Sequence, residues 1–152
     1  MDIDSYDNIE RSADFKQYSF ISEGPKGALT KLVKFSAFKQ VPDSFNLALG
    51  TIRGEVVDYS ETTDNNDRDK ILATIFHIAR IFSHVYHDQK IFIKGRDEIT
   101  TRLYRAAINH GYEEIIKEYF IYGGIYVAIT DQYNFELFEG NRHYGAFLFV
   151  RR

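Results

Sequence analysis

No cysteine occurs among the 152 residues, which excludes a disulfide scaffold, a Cys-ligated zinc site and a thiol nucleophile. Tryptophan is missing too, and two prolines and ten glycines leave little to interrupt long elements. Neither sign of charge dominates. Nineteen Lys and Arg stand against 22 Asp and Glu, a net charge of -3 that excludes a generally basic nucleic-acid coat. Long apolar runs are also lacking. The longest charge-free one, Tyr119–Thr130, falls far short of the ~20 residues that cross a bilayer, so no membrane is expected as partner. The start Met1-Asp2-Ile3-Asp4 has neither the basic nor the apolar region of a signal peptide, which points to a cytoplasmic protein.

What is present is aromatic: 13 Phe and 11 Tyr make 16% of the chain. Such residues suit pleated, half-buried surfaces and favour a substantial β-sheet. A content of 44% hydrophobic and 27% charged residues excludes intrinsic disorder. Residues 1–14 carry Asp2, Asp4, Asp7, Glu10 and Asp14 against Arg11 alone, an acidic start expected to be solvated and frayed. Residues 15–152 are expected to form a single α+β domain.

Within 15–59, short apolar runs separated by turns at Gly24-Pro25-Lys26-Gly27 and Val41-Pro42-Asp43-Ser44 predict an antiparallel meander. Gly54 marks a further turn or bulge. The spacing of Ile71, Ile75, Ile78, Phe82 and Val85 predicts a helix over Asp67–Tyr86, capped by Asn66 or Asp67. Lys90–Lys94 reads as a strand ended by Gly95. A second helix follows over Asp97–His110, with Ile99, Leu103 and Ala106 facing inward, and Gly111 stops it. A short helix over Tyr112–Tyr119 precedes strands at Phe120–Thr130, Asn134–Phe138 and Gly145–Arg152. The predicted class is therefore α+β: an antiparallel-rich sheet with two main helices on one face, in the order β-β-β-α-β-α-(α)-β-β.

Residues 90–105 hold Lys90, Lys94, Arg96, Arg102 and Arg105 against Asp97 and Glu98, a basic stretch inside an acidic chain. A strand ending at glycine before a helix start offers free backbone N–H groups to an anion, with Thr100 and Thr101 as hydroxyl donors. Arg102 and Arg105 share a helix face. On the first helix, His77, Arg80 and His84 lie opposite Ile78. Arg96, Thr100, Thr101, Arg102 and Arg105, extended by His77 and Arg80, are thus the candidate anion-binding residues. The competing reading has Asp97 capping the helix, Glu98 pairing with Arg102 and the arginines merely solvated.

The acids Asp58, Glu61, Asp64, Asp67 and Asp69 are too local in sequence to predict a metal site. His84, His87 and Asp88 would need a fourth ligand from elsewhere to hold zinc. The nucleophile and phosphate-loop motifs are missing, so no catalytic residue, metal or cofactor is expected. The aromatics Tyr119, Phe120, Tyr122, Tyr126, Tyr133, Phe135 and Phe138 can stack on bases where exposed, although period-2 spacing assigns most of them to the sheet core.

Phe45-Asn46-Leu47-Ala48-Leu49-Gly50, Asn65-Asn66-Asp67 running into Lys70–Ile75, Gly95 through Thr101-Arg102-Leu103-Tyr104-Arg105, and Tyr144–Val150 together resemble a family of small bacterial proteins known as a domain of unknown function. The likeness spans about residues 15–152. The family pattern has Ser after the glycine and Arg before Thr-Arg-Leu-Tyr, where this sequence has Arg96 and Thr100. The resemblance implies no activity, substrate or cofactor. The expected function is a non-catalytic binding or interaction module, with nucleic acid or a protein as partner. A metal-dependent nuclease or toxin-like ribonuclease, and a self-associating structural protein, are the alternatives.

Overall fold

The computed structural model describes residues 4–59 and 65–152. The fold is α+β, with a large, mostly antiparallel sheet and two long helices. The chain forms two compact units, one from Met1–Ser36 and Leu47–Tyr86, the other from Ala37–Asn46 and His87–Arg152.

The first unit holds β1 (Glu10–Arg11), β2 (Gln17–Gly24), β3 (Gly27–Ala37), most of β4 (Ser44–Arg53), β5 (Val56–Asp58) and α1 (Arg68–Val85). The antiparallel register runs from Gln17 opposite Lys34 to Gly24 opposite Gly27, the turn expected from Gly24-Pro25-Lys26-Gly27. Gly27 and Gly54 have φ of 88° and 63°, a left-handed turn conformation that glycine adopts without steric cost. Tyr18, Phe20 and Ser22 on β2 and Lys31, Val33 and Phe35 on β3 alternate into the core. Ile71, Ile75, Ile78 and Phe82 of α1 are buried as predicted, but Val85 is exposed. Phe82 lies flat on Phe35, with ring centroids 3.9 Å apart and planes at 2°. The acidic start is not wholly solvated: Tyr6 is buried, its N–H donates to Thr74 Oγ1 at 2.8 Å, and its ring stacks on Phe20.

Tyr18 packs edge-on against Phe35, and its buried hydroxyl has no hydrogen-bond partner. Burial pushes its phenol up to about 12. An unfolded tyrosine ionises near ~10, so the unfolded chain binds fewer protons between those two values. Stability should fall as pH rises from ~10 towards 12 and be insensitive to this group below that window. Tyr18→Phe removes an orphaned polar atom and should match or exceed the parent in melting temperature at neutral pH. It should also flatten the alkaline decline, and thermal scans between pH 7 and 11 check both.

The second unit contains β4's first residues, β6 (Lys90–Ile93), α2 (Glu98–His110), α3 (Tyr112–Ile115), β7 (Tyr119–Val127), β8 (Gln132–Leu137) and β9 (Ala146–Arg151). Its strands lie in the order β4-β6-β9-β7-β8, antiparallel except for β4 and β6, whose parallel pairing sets Ser44 opposite Lys90. A parallel pair needs a long crossover, which residues 47–89 supply. The inward face of α2 is not the predicted one. Ile99 is 70% exposed and Ala106 is also exposed, whereas Ile108 is buried and burial raises the Tyr104 phenol. Choosing Ile99 as the start of the stripe rotated the expected face, because a first-turn residue need not meet the core. Gly95 is required by contact: a Cβ there would lie 2.4 Å from the Thr101 backbone nitrogen.

Candidate nucleic-acid interface

The start of α2 follows the capping alternative. Asp97 has extended backbone, and its Oδ1 accepts from Thr100 N–H at 2.8 Å and from Thr100 Oγ1 at 2.9 Å. Those bonds, with Arg96 alongside, hold the Asp97 carboxyl below its ordinary range. Thr101 Oγ1 donates back to the Asp97 carbonyl. The chain's own carboxylate thus takes the donors that an external anion would need. Arg96 pairs with Asp97 at 3.2 Å. Among the described residues, Glu98 and Arg102 form no ion pair. Arg102 is exposed, while Arg105 donates to the Arg142 carbonyl and reaches His143 Nδ1, both at 3.0 Å.

His77, Arg80 and His84 are exposed on α1, as their spacing predicts. His77 and Arg80 belong to the first unit and Arg96 through Arg105 to the second. His87 and Asp88 are exposed neighbours with a 3.5 Å contact. Of the loop acids, Glu61 and Asp64 lie outside the described residues. Asp67 is committed elsewhere: its Oδ2 accepts from Tyr6 OH and Ser22 Oγ, each at 2.5 Å, and its side chain makes no capping bond to α1. The described residues contain no cluster of three or more His, Asp or Glu able to hold a metal ion.

The sheet of the second unit presents a different surface. Register fixes which side chains share a face, because directly opposed residues point the same way. Phe120 stands opposite Val150, Tyr122 opposite both Leu148 and Leu137, Gly124 opposite both Ala146 and Phe135, and Tyr126 opposite Tyr133. Phe92 of β6 stands opposite Leu148 and joins this face. Phe38 stacks on Phe92 at 4.1 Å and covers its centre. Around that centre, Tyr122, Tyr133 and Phe135 are half-buried, while Phe120, Tyr126 and Leu137 are exposed. Gly124 makes room for Phe135, since a Cβ would come within 2.8 Å of the ring.

The other face carries the helical layer. There, Tyr144 covers Gly123, Phe138 packs on Phe147, and Tyr112 of α3 stacks on Phe138. Tyr119 and Phe138 are therefore core, and Tyr122, Tyr133 and Phe135 pack against the buried cluster of Phe92, Ala146 and Leu148, so most of the seven singled-out aromatics are sheet core as period-2 spacing predicts, with Phe120 and Tyr126 exposed.

Charge at the margin of that face is mixed. Alternation along β6 places Lys90 on the side of Phe92, its ammonium donating to the Pro42 carbonyl at 3.1 Å, and the Arg152 guanidinium lies 4.0 Å from the Phe120 ring centroid while its Nε donates to the Ile116 carbonyl. Two acids bracket it, Glu118 before β7 and Asp131 in the β7–β8 turn. Asp131 accepts from Tyr126 OH at 2.5 Å, a bond that raises the Tyr126 phenol.

One buried charge escaped the sequence reading. Lys31 is 3% exposed, and its ammonium donates to Thr51 Oγ1 at 2.7 Å. The signal was available, since Lys31 shares its parity with the core residues Val33 and Phe35.

Residues 2–152 match a family described as Family of unknown function (DUF6934), and the chain belongs to that family. No curated protein and no solved structure matches it.

Proposed function

We propose that this member of a family of unknown function is a non-catalytic binding module that holds a nucleic-acid single strand on the open face of β6, β9, β7 and β8. The proposal includes a bacterial, cytoplasmic setting, where such strands arise. One observation carries it: Phe120 and Tyr126 stand exposed on one sheet face, with Tyr122, Tyr133 and Phe135 half-buried between them and Lys90 and Arg152 on the same face. Bases stack on aromatic rings whatever their sequence, at about 1–3 kcal/mol per base, while lysine and arginine meet the phosphates. A duplex keeps the faces of its bases stacked on one another, so it offers these rings nothing to stack on. The α2 arginines do not share this support, because they stand on a helix rather than on the strands that carry the rings, and Asp97 occupies the helix start.

Fluorescence anisotropy with a labelled mixed-sequence strand at ~50 mM salt is the test, since non-specific binders reach Kd values of ~1–100 µM. A single strand should bind more tightly than the same sequence as duplex. Phe120→Ser and Tyr126→Ser change exposed rings and should each weaken binding about tenfold. Lys90→Ala and Arg152→Ala should each lower the salt slope by about one. Undetectable binding at ~100 µM protein, or binding lost in Arg102→Ala but kept in both ring variants, would defeat the reading.

A further inference from the structure

We propose that β8 is a self-pairing edge through which two copies of this chain join their sheets, an inference independent of any nucleic-acid binding. In the second unit β8 is the last strand: β7 pairs with one side of it, and no described strand pairs with the other. Every second N–H and C=O along it therefore points outward. Proteins that keep such an edge solitary shorten it or protect it with charged side chains, lysine above all, with proline or with a bulge. β8 has six residues, Gln132-Tyr133-Asn134-Phe135-Glu136-Leu137, with no lysine or proline and one charge, Glu136, whose carboxylate is neutralised by Arg142. Its register with β7 is continuous over all six, from Val127 opposite Gln132 to Tyr122 opposite Leu137, so no bulge interrupts it. Gln132, Asn134 and Leu137 are exposed.

The sequence of β8 is complementary to itself in antiparallel orientation. A two-fold axis beside Asn134 sets Asn134 against Asn134 of the second copy, Tyr133 against Phe135 twice, and Gln132 against Glu136 twice. Each pair keeps its side chains on one face, the requirement for a continuous sheet. Aromatic rings meet on the open face and amides on the other. Glu136 meets no like charge, and its bond to Arg142 at 2.7 Å need not break. Centring the axis on Phe135 instead would set Gln132 against Phe138, which is buried. Two copies joined this way present the aromatic faces of both sheets side by side.

Strand pairing alone buries less than a standard interface, so the dimer should have a micromolar Kd and be largely formed at ~100 µM. Sedimentation velocity on the full chain is the test. The parent should sediment as a dimer at that concentration. Asn134 is exposed, so Asn134→Lys and Asn134→Glu should both fold, as circular dichroism will register. Each alone should be monomeric, because the axis brings its new charge against its own copy. An equimolar mixture of the two should recover the dimer, since Lys then faces Glu. A parent monomeric at ~100 µM, a dimer that survives both substitutions, or a mixture that stays monomeric would each overturn the proposal. Phe120→Ser should leave the dimer intact while weakening strand binding, so the two proposals fail separately.

Discussion

Phe82→Ala is expected to lower stability by about 3–5 kcal/mol, the range for truncating a buried phenylalanine. Phe82 has no exposed surface, and its ring lies between Phe35 at 3.9 Å and Tyr86 at 4.9 Å. Phe35 in turn meets Tyr18 edge-on at 5.9 Å, so one ring joins the sheet and the helix of the first unit. The substitution removes apolar area and also leaves a cavity between a strand and a helix, where relaxation is limited. For a chain of this length, each kcal/mol shifts the melting temperature by about 2–4 °C, so a fall on the order of 10 °C follows. Urea titration should show a lower midpoint with an unchanged slope. Phe82→Leu refills most of the volume and should lose clearly less. A deficit below ~1 kcal/mol for Phe82→Ala would mean that the stack contributes little beyond its neighbours.

Gly24→Ala should be the most damaging single-methyl change, at about 3 kcal/mol, the upper end for overpacking. Gly24 ends β2 with an ordinary φ, so the reason is space. An added Cβ would fall within 1.9 Å of the Asn65 carbonyl oxygen and 2.8 Å of its Oδ1. Asn65 cannot move freely. It is 1% exposed, its Nδ2 donates to Ser22 Oγ at 3.1 Å and to the Gly27 carbonyl at 2.9 Å, and its Oδ1 accepts from Lys26 N–H at 2.7 Å. Displacing it would strand buried polar atoms, each costing about 1–3 kcal/mol. Ser22 also donates to Asp67, so the disturbance would reach the start of α1. Gly27→Ala is the control. Its φ of 88° disfavours any side chain, but open space surrounds the site, so it should cost about 1 kcal/mol. A Gly24→Ala protein as stable as Gly27→Ala would remove the steric explanation.

Both substitutions bear on how much was legible beforehand. Phe82 was readable, because a helix face repeats every 3.6 residues and the stripe from Ile71 to Phe82 is regular. Gly24 read only as a turn residue. Its contact with Asn65, 41 residues away, has no periodic trace. On α2 the period was right and the phase wrong, so Ile108 replaced Ala106 at the core. The start of α2 was half readable: Asp97 has the residue type and place of a cap, but only the folded structure shows its carboxylate accepting from Thr100. The exposure of Phe120 and Tyr126 was not readable, because alternation sorts β7 into two sets without saying which set a helix covers.

The sequence by itself determined the α+β class, the places of β2 to β9 and of both long helices, the turn at Gly24–Gly27 and the buried stripe of α1. Each depends on local backbone preference or on a period that a single element imposes. Only the tertiary structure decided that Tyr119 and Phe138 are core while Phe120 and Tyr126 face outward, that Lys31 is buried against Thr51, and that β8 is an edge. Those outcomes depend on pairing between strands distant in sequence. The order β4-β6-β9-β7-β8 is set by which faces bury together, a property of the assembled sheet that no single strand carries.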